Sequence, residues 1–476
     1  MKKLTLNDYE SAVAPILTDL KAHFENKEFV VSDVIDDESH QYVNLVQEGG
    51  GVLGVALVGY TYVLEKMGIR FLKLAGTSAG AINTMLLASI GYRNEEKSTE
   101  ALKILSSTNL FDFVDAFWVV KRIIAWAMKY KPKLTIKALF SAIGLSLILA
   151  VVCSIFYWIY RDAPSTPALV SILYAISGVL LICSAVIVSY VYYLYYRFKR
   201  SRFGISKGNA FLKWMQGILE NNGISSLKDF REKIEKTATH IQLRPTREDH
   251  LKVTDLNQPK LEDSITIIAC DITKQVKVEF PKMWRLYWDD EAQVQPSAFV
   301  RSSMSVPIFF EAFQINNIPK NSVKEAWKEF FLVENLSDIP SGVQFVDGGI
   351  VSNFPINVFF NPNLKTPRLP TFGIKLDDDA TTIHEYETFG SFIMGMFNTV
   401  RFNYDREFLL KNRDFEKTIG RIDVRGFNWL NFNISDEEKC QLFVKGAQTA
   451  ADFLKKFDWE AYKKGREQMY HDLHAA

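Results

Sequence analysis

The sequence predicts an α/β fold: a three-layer α/β/α domain around a mainly parallel central sheet, interrupted by a two-helix transmembrane hairpin. Three observations carry that expectation. A strand, turn and helix order occurs twice before residue 90, strand-like segments return after residue 260, and two long uncharged runs lie between them.

The elements follow in chain order. Val13, Ile16, Leu17, Leu20 and Phe24 share one face of a helix over residues 7–25. Residues 42–47 read as a strand, followed by a glycine-rich stretch and a helix to about Met67. Phe71 to Ala75 reads as a second strand, residues 76–80 as a small-residue turn, and Ala81 to Ile90 as an apolar helix. Two such units in succession imply parallel strands joined by right-handed crossovers. Further strands are expected at Ile265–Cys270, Val276–Phe280, Phe345–Asp347 and Thr371–Leu376. A capping box at Ser435–Glu438 starts a last helix that runs to about Phe457.

Residues 138–160 and 168–196 contain no charged side chain, and each run exceeds the roughly 20 residues a helix needs to cross a bilayer. A short turn, Arg161 to Pro167, joins them. Lys129, Lys131, Lys133 and Lys137 precede the pair, and Arg197, Lys199, Arg200 and Arg202 follow it. The positive-inside rule then expects a two-pass integral membrane protein with both termini and the globular part in the cytoplasm. Tyrosines and Trp158 at the span ends fit interfacial belts, and residues 113–129 read as a helix in the headgroup plane or in the core. The expected division is 1–130 and 204–476 as two parts of one domain, with 131–203 as the insertion.

Composition narrows the function. The net charge of +1 gives no global field that would favour nucleic acid, so no nucleic-acid partner is expected. Cys153, Cys183, Cys270 and Cys440 are scattered, with no CxxC pair and no histidine at zinc-ligand spacing. They read as reduced thiols, and neither a metal nor a cofactor is expected. No continuous apolar run opens the chain, which argues against a secretory leader there.

Three segments carry candidate chemistry. Gly76-Thr77-Ser78-Ala79-Gly80 places a serine between a strand and a helix, the context of a nucleophile elbow. A tight turn with a capping serine would look the same. Gly49-Gly50-Gly51-Val52-Leu53-Gly54 aims backbone N–H groups at one spot, as an oxyanion hole or a phosphate cradle requires. The absence of GxxxxGK[ST] argues against the nucleotide reading. Asp347-Gly348-Gly349 ends an apolar strand; it is either a plain turn or a carboxylate free to act as a general base.

Together these segments resemble the patatin-like phospholipase family. That family has a glycine-rich oxyanion loop after its first strand, a Gly-x-Ser-x-Gly elbow and a distant Asp-Gly-Gly or Asp-Gly-Ala. Val300 to Pro307 and Asp347 to Pro355 also resemble family segments, and the likeness covers about 42–110 and 204–375. The resemblance implies a Ser78–Asp347 dyad, with Ser78 as nucleophile and Asp347 as general base at the carboxyl ends of neighbouring strands. It implies an oxyanion hole from Gly49, Gly50, Gly51 and Gly54, with Gly76, Gly80, Gly348 and Gly349 as motif glycines.

The implied substrate is a membrane phospholipid or another acyl lipid, cleaved through an acyl-enzyme. The same dyad would serve an acyltransferase, and the fold without activity would be a membrane scaffold. Leu53 stands where many relatives carry Arg or Lys, which leaves Arg301 as a candidate source of cationic help or as a structural ion-pair partner. A histidine triad has only His384, His471 and His474 to draw on after Asp347, none in a glycine turn. Asp377-Asp378-Asp379 lacks calcium-loop spacing and reads as a solvated turn.

Overall fold

The structure is a computed structural model that describes residues 3–115, 132–160, 167–200, 202–244, 257–377 and 385–474. The described chain forms two units, residues 1–115 with 208–476, and residues 116–207.

The larger unit is built on a ten-stranded sheet. Its main path runs Ile419–Asp423, Thr371–Asp377, Gln41–Gln47, Ile69–Thr77, Ile265–Asp271, Gly342–Asp347, Phe313–Asn316. Along this path, from the first edge through Ile265–Asp271, the strands are parallel; off it, Val34–Asp36 pairs antiparallel with Gln41–Gln47. Beyond Ile265–Asp271 the sheet turns antiparallel: Gly342–Asp347 runs against Ile265–Asp271 and against Phe313–Asn316. Val276–Phe280 adds a further antiparallel pairing to Ile265–Asp271. The sheet is therefore mixed. The short Asp271 to Val276 connection gives an antiparallel neighbour, and the helix-bearing crossovers of the first half give parallel ones, whereas Phe313–Asn316 and Gly342–Asp347 are antiparallel although a helix lies between them.

Ser78 and Asp347 do not sit on neighbouring strands. Ile265–Asp271 lies between them, and the strand of Asp347 runs opposite to that of Ser78. Register brings them level: Thr77 pairs with Ile268, and Asp347 pairs with Ala269. The antiparallel strand starts beyond the far end of its neighbour and finishes at the height where the serine strand ends.

The helix Gly54–Lys66 is buried from Val55 to Glu65 and so shows almost no amphipathic pattern. It is crossed by Asp436–Lys456, whose backbone it meets directly. A Cβ at Gly59 would strike the Phe443 carbonyl, and one at Gly446 would strike that of Ala56. Two glycines facing each other across the crossing let the C-terminal helix cover the first crossover helix. The Ser435 capping box is present as expected, with Ser435 Oγ accepting the Glu438 N–H.

The smaller unit contains the helices Pro132–Tyr160 and Pro167–Arg200. They pack on each other through serines: Ser154 and Ser177 hydroxyls lie 2.9 Å apart, and Ser177 donates to the Ala150 carbonyl. Among the described residues, no helix is long and apolar enough to cross a membrane. This overturns the transmembrane hairpin over 138–160 and 168–196, and with it the two-pass membrane placement with cytoplasmic ends. The expectation rested on run length, absence of charge, basic flanks and aromatic span ends. Ser154 and Ser177 meet across the pair, and the tyrosines from Tyr190 to Tyr196 bring polar groups to the end of the second helix. Residues 161–166 of the turn expected over 161–167, and 116–129 of the interfacial stretch expected over 113–129, lie outside the described residues.

Candidate active site

Ser78 occupies a sharp turn between the strand Ile69–Thr77 and the helix Ala79–Ser89, with φ 52° and ψ −115°. A positive φ is rare and costly for a residue with a Cβ, and it presents the serine at the crest of the turn. Its N–H donates to Ser303 Oγ at 2.9 Å, which holds the crest from one side. The flanking glycines are set by packing. A Cβ at Gly76 would collide with the Gly80 carbonyl, and one at Gly80 would collide with the Gln47 carbonyl. The expected consequence of Gly80→Ala is a displaced elbow and a loss of about 1–3 kcal/mol of stability, measurable by denaturant unfolding.

Asp347 ends its strand beside this turn. Its N–H donates to the Ser305 carbonyl at 2.9 Å, so the end of the helix Ser297–Ser303 and the residues just after it brace both Ser78 and Asp347. Asp347 Oδ1 accepts the Gly349 N–H at 2.7 Å. Burial pushes the Asp347 pKa above the ordinary aspartate range; the Ser78 hydroxyl, the Gly349 amide and the charge of Arg401 each pull it back. The serine thus acts on the carboxylate electrostatically, yet Oδ2 has no well-formed hydrogen bond. Asp347 Oδ2 is therefore the carboxylate oxygen left without a committed donor at this turn.

The glycine loop lies against the elbow: a Cβ at Gly49 would stand 3.1 Å from Ser78 Cβ. Its amides are not equivalent. Gly49 N–H donates to the Asn353 carbonyl, Val52 to Trp429, Leu53 to Gly50, and Gly54 to Gly51 and Val52. The Gly50 and Gly51 amides bond no carbonyl among the described residues. Gly51 has φ +56°, the left-handed conformation that turns its peptide away from the helix behind it.

A side-chain network that motif reasoning did not find links these parts. Arg401, on the helix Phe389–Lys411, donates from Nε to the Gly349 carbonyl at 2.8 Å and from Nη2 to Asn353 Oδ1 at 2.8 Å. One turn on, Asp405 accepts the Ser352 hydroxyl at 2.7 Å and the Phe354 N–H at 2.8 Å. Asn353 Nδ2 donates to the Gly49 carbonyl and to Glu48 Oε1, both at 3.1 Å. Burial pushes Glu48 up to about 7 and Asp405 up to about 6. The extended likeness of Asp347 to Pro355 was the one sequence signal that touched this network.

Arg301 is absorbed elsewhere. Buried against the Phe310 ring, it donates to Ser305 Oγ and to the Glu311 carbonyl, a structural role beside the brace. Leu53 is buried in the loop. Of the histidines, His384 lies outside the described residues, as do Asp378 and Asp379, and His471 is exposed on the terminal helix. Among the described residues, no cluster of three or more His, Cys, Asp or Glu side chains could hold a metal ion.

Comparison with known proteins defines the class as a carboxylic ester hydrolase of acyl lipids, because the model of the patatin-like phospholipase family matches residues 45–360, more than half of the chain. The chain belongs to that family. It is 22% identical over 424 residues to the uncharacterized protein YqhO of Bacillus subtilis (strain 168), covering 88% of this chain and 100% of that one. It also aligns with the crystal structure of VipD from Legionella pneumophila at 13% identity and a TM-score of 0.37, over 92% of this chain and 73% of that one.

Proposed function

We propose that this protein is a serine lipid acyl hydrolase, phospholipase A-like in its chemistry, that works through a Ser78–Asp347 dyad and an acyl-enzyme. The observation that carries the reading is the strained Ser78 crest set level with a buried carboxylate whose burial raises its basicity.

The steps follow from the residues present. The Asp347 carboxylate takes the Ser78 proton as Oγ attacks the ester carbonyl. Negative charge develops on the former carbonyl oxygen, where the Gly50 and Gly51 amides and the Ala79 N–H at the helix start can receive it. The Gly49 and Gly54 amides shape the loop, since their hydrogens are already committed. Protonated Asp347 returns the proton to the departing alcohol. Water, activated by the same carboxylate, then releases the fatty acid.

The test is product analysis by mass spectrometry after incubation with a phosphatidylcholine, alone and with a competing short alcohol. Free fatty acid as the main product in both cases is expected. Acyl transfer to the alcohol as the main product would replace hydrolase by transacylase, and no acyl cleavage of any glycerolipid offered would remove the reading.

A further inference from the structure

We propose that Arg401 and Asn353 are positioning residues that tie the turn of the base to the oxyanion loop, so that the two halves of the site move as one body. The inference rests on the Ser78–Asp347 reading and extends it to residues on a helix that carries none of the motif chemistry.

The connection is continuous. Arg401 holds two acceptors on the segment that follows the base: the Gly349 carbonyl, in the turn that also donates to Asp347 Oδ1, and the side-chain oxygen of Asn353, the residue that reaches the glycine loop. Asn353 then holds Gly49 at both ends. Its carbonyl accepts the Gly49 N–H at 3.0 Å, and its Nδ2 donates to the Gly49 carbonyl at 3.1 Å. Fixing both polar groups of Gly49 sets the direction in which the chain enters Gly50 and Gly51, whose amides are left for the oxyanion. A planar guanidinium suits this task because it presents several donors in one rigid fork; an ammonium cannot hold the same two acceptors with fixed geometry.

The supporting groups are consistent with a built device. Asp405 sits one helical turn from Arg401, on the same face, and secures Ser352 and Phe354, the residues on either side of Asn353. Glu48 accepts from Asn353 Nδ2 and from the Leu376 N–H. The helix therefore grips residues 349–354 through two side chains. Arg401 has a second consequence, since its charge is one of the influences that lower the pKa of Asp347 against burial. A purely structural clamp would leave the titration of the base alone.

The experiment measures kcat and KM against pH for a soluble p-nitrophenyl acyl ester in full-length Arg401→Gln, Arg401→Lys and Asn353→Ala, with thermal unfolding recorded for each. Asp347 is faced by Ser78, Arg401 and Cys270, whose thiol is pushed up to about 11 and is silent in the range. Glu48 and Asp405 face Asn353, with Lys375 and Lys277 as their charged neighbours, and are common to parent and variants. Arg401→Gln should lower kcat by about 10- to 100-fold with KM little changed, and should move the acid limb of kcat to higher pH. Arg401→Lys should restore the limb but only part of kcat. Asn353→Ala should lower kcat without moving the limb. A folded Arg401→Gln with parental kcat and an unmoved limb overturns the proposal, as does a folded Asn353→Ala with parental kcat should the Gln variant fail to fold. Ser78→Ala run alongside separates the cases: if it remains active the dyad itself fails, and if it is inactive the fault lies with the positioning residues alone.

Discussion

Ser78→Ala is expected to lower ester hydrolysis by about 10⁴-fold or more while leaving the unfolding transition unchanged. The size follows from what the substitution removes. Without Oγ there is no acyl-enzyme, and the remaining oxyanion donors can assist only direct attack by water. Stability should hold because the elbow is fixed through the Ser78 backbone N–H on Ser303 Oγ, which alanine keeps, and the alanine Cβ keeps the same place beside Gly49. The strained backbone, φ 52°, is no worse for alanine than for serine. Activity on a p-nitrophenyl ester together with calorimetry checks both halves; a variant that retains parental activity assigns the chemistry to another group.

Asp347→Asn should produce a loss of similar order, about 10³- to 10⁴-fold, because an amide cannot accept the serine proton. It should also be at least as stable as the parent at neutral pH. The carboxyl's folded pKa is raised by burial, so between its unfolded and folded pKa values the folded state binds the proton more tightly, and stability falls as pH rises through that window. Asparagine never ionises and escapes that cost, while its oxygen can still accept the Gly349 N–H. Activity of the parent should show the opposite slope, rising with pH as Asp347 deprotonates, with an acid limb above the ordinary aspartate range. Thermal unfolding and kcat measured across pH test the pair of signs; an Asn variant that is inactive only because it is unfolded would remove the inference about the base.

Much of the fold was legible because local pattern and final environment agree. The parallel half of the sheet followed from strands that alternate with helices, and the Ser435 cap was readable residue by residue. The antiparallel half was not. Nothing in Phe345–Asp347 states which neighbour it will join, since direction is decided by the route of the chain from Phe313–Asn316 through an intervening helix. The placement of Ser78 and Asp347 therefore depends on a register of pairing, Thr77 with Ile268 and Asp347 with Ala269, that no short motif encodes.

The helix Phe389–Lys411 was missed for a different reason. Phe389, Phe392, Ile393, Met396 and Val400 are exposed and the helix meets the site through Arg401 and Asp405, its apolar packing being left to Phe408 and Leu409 near the end. Hydrophobic periodicity locates the buried side of a helix only when burial is apolar. The hairpin shows the converse error. Long uncharged runs with basic flanks predict membrane spans, but serines bridge the two helices, and among the described residues no helix is long and apolar enough to cross a membrane.

The central assignment is tested most directly by labelling the full-length protein with a fluorophosphonate probe, followed by peptide mapping in the parent, Ser78→Ala and Asp347→Asn. Modification of the parent on Ser78, much slower modification of Asp347→Asn at the same residue and none of Ser78→Ala are expected. An unlabelled Ser78 in a folded, ester-cleaving parent, or a label on a different serine, would contradict the dyad.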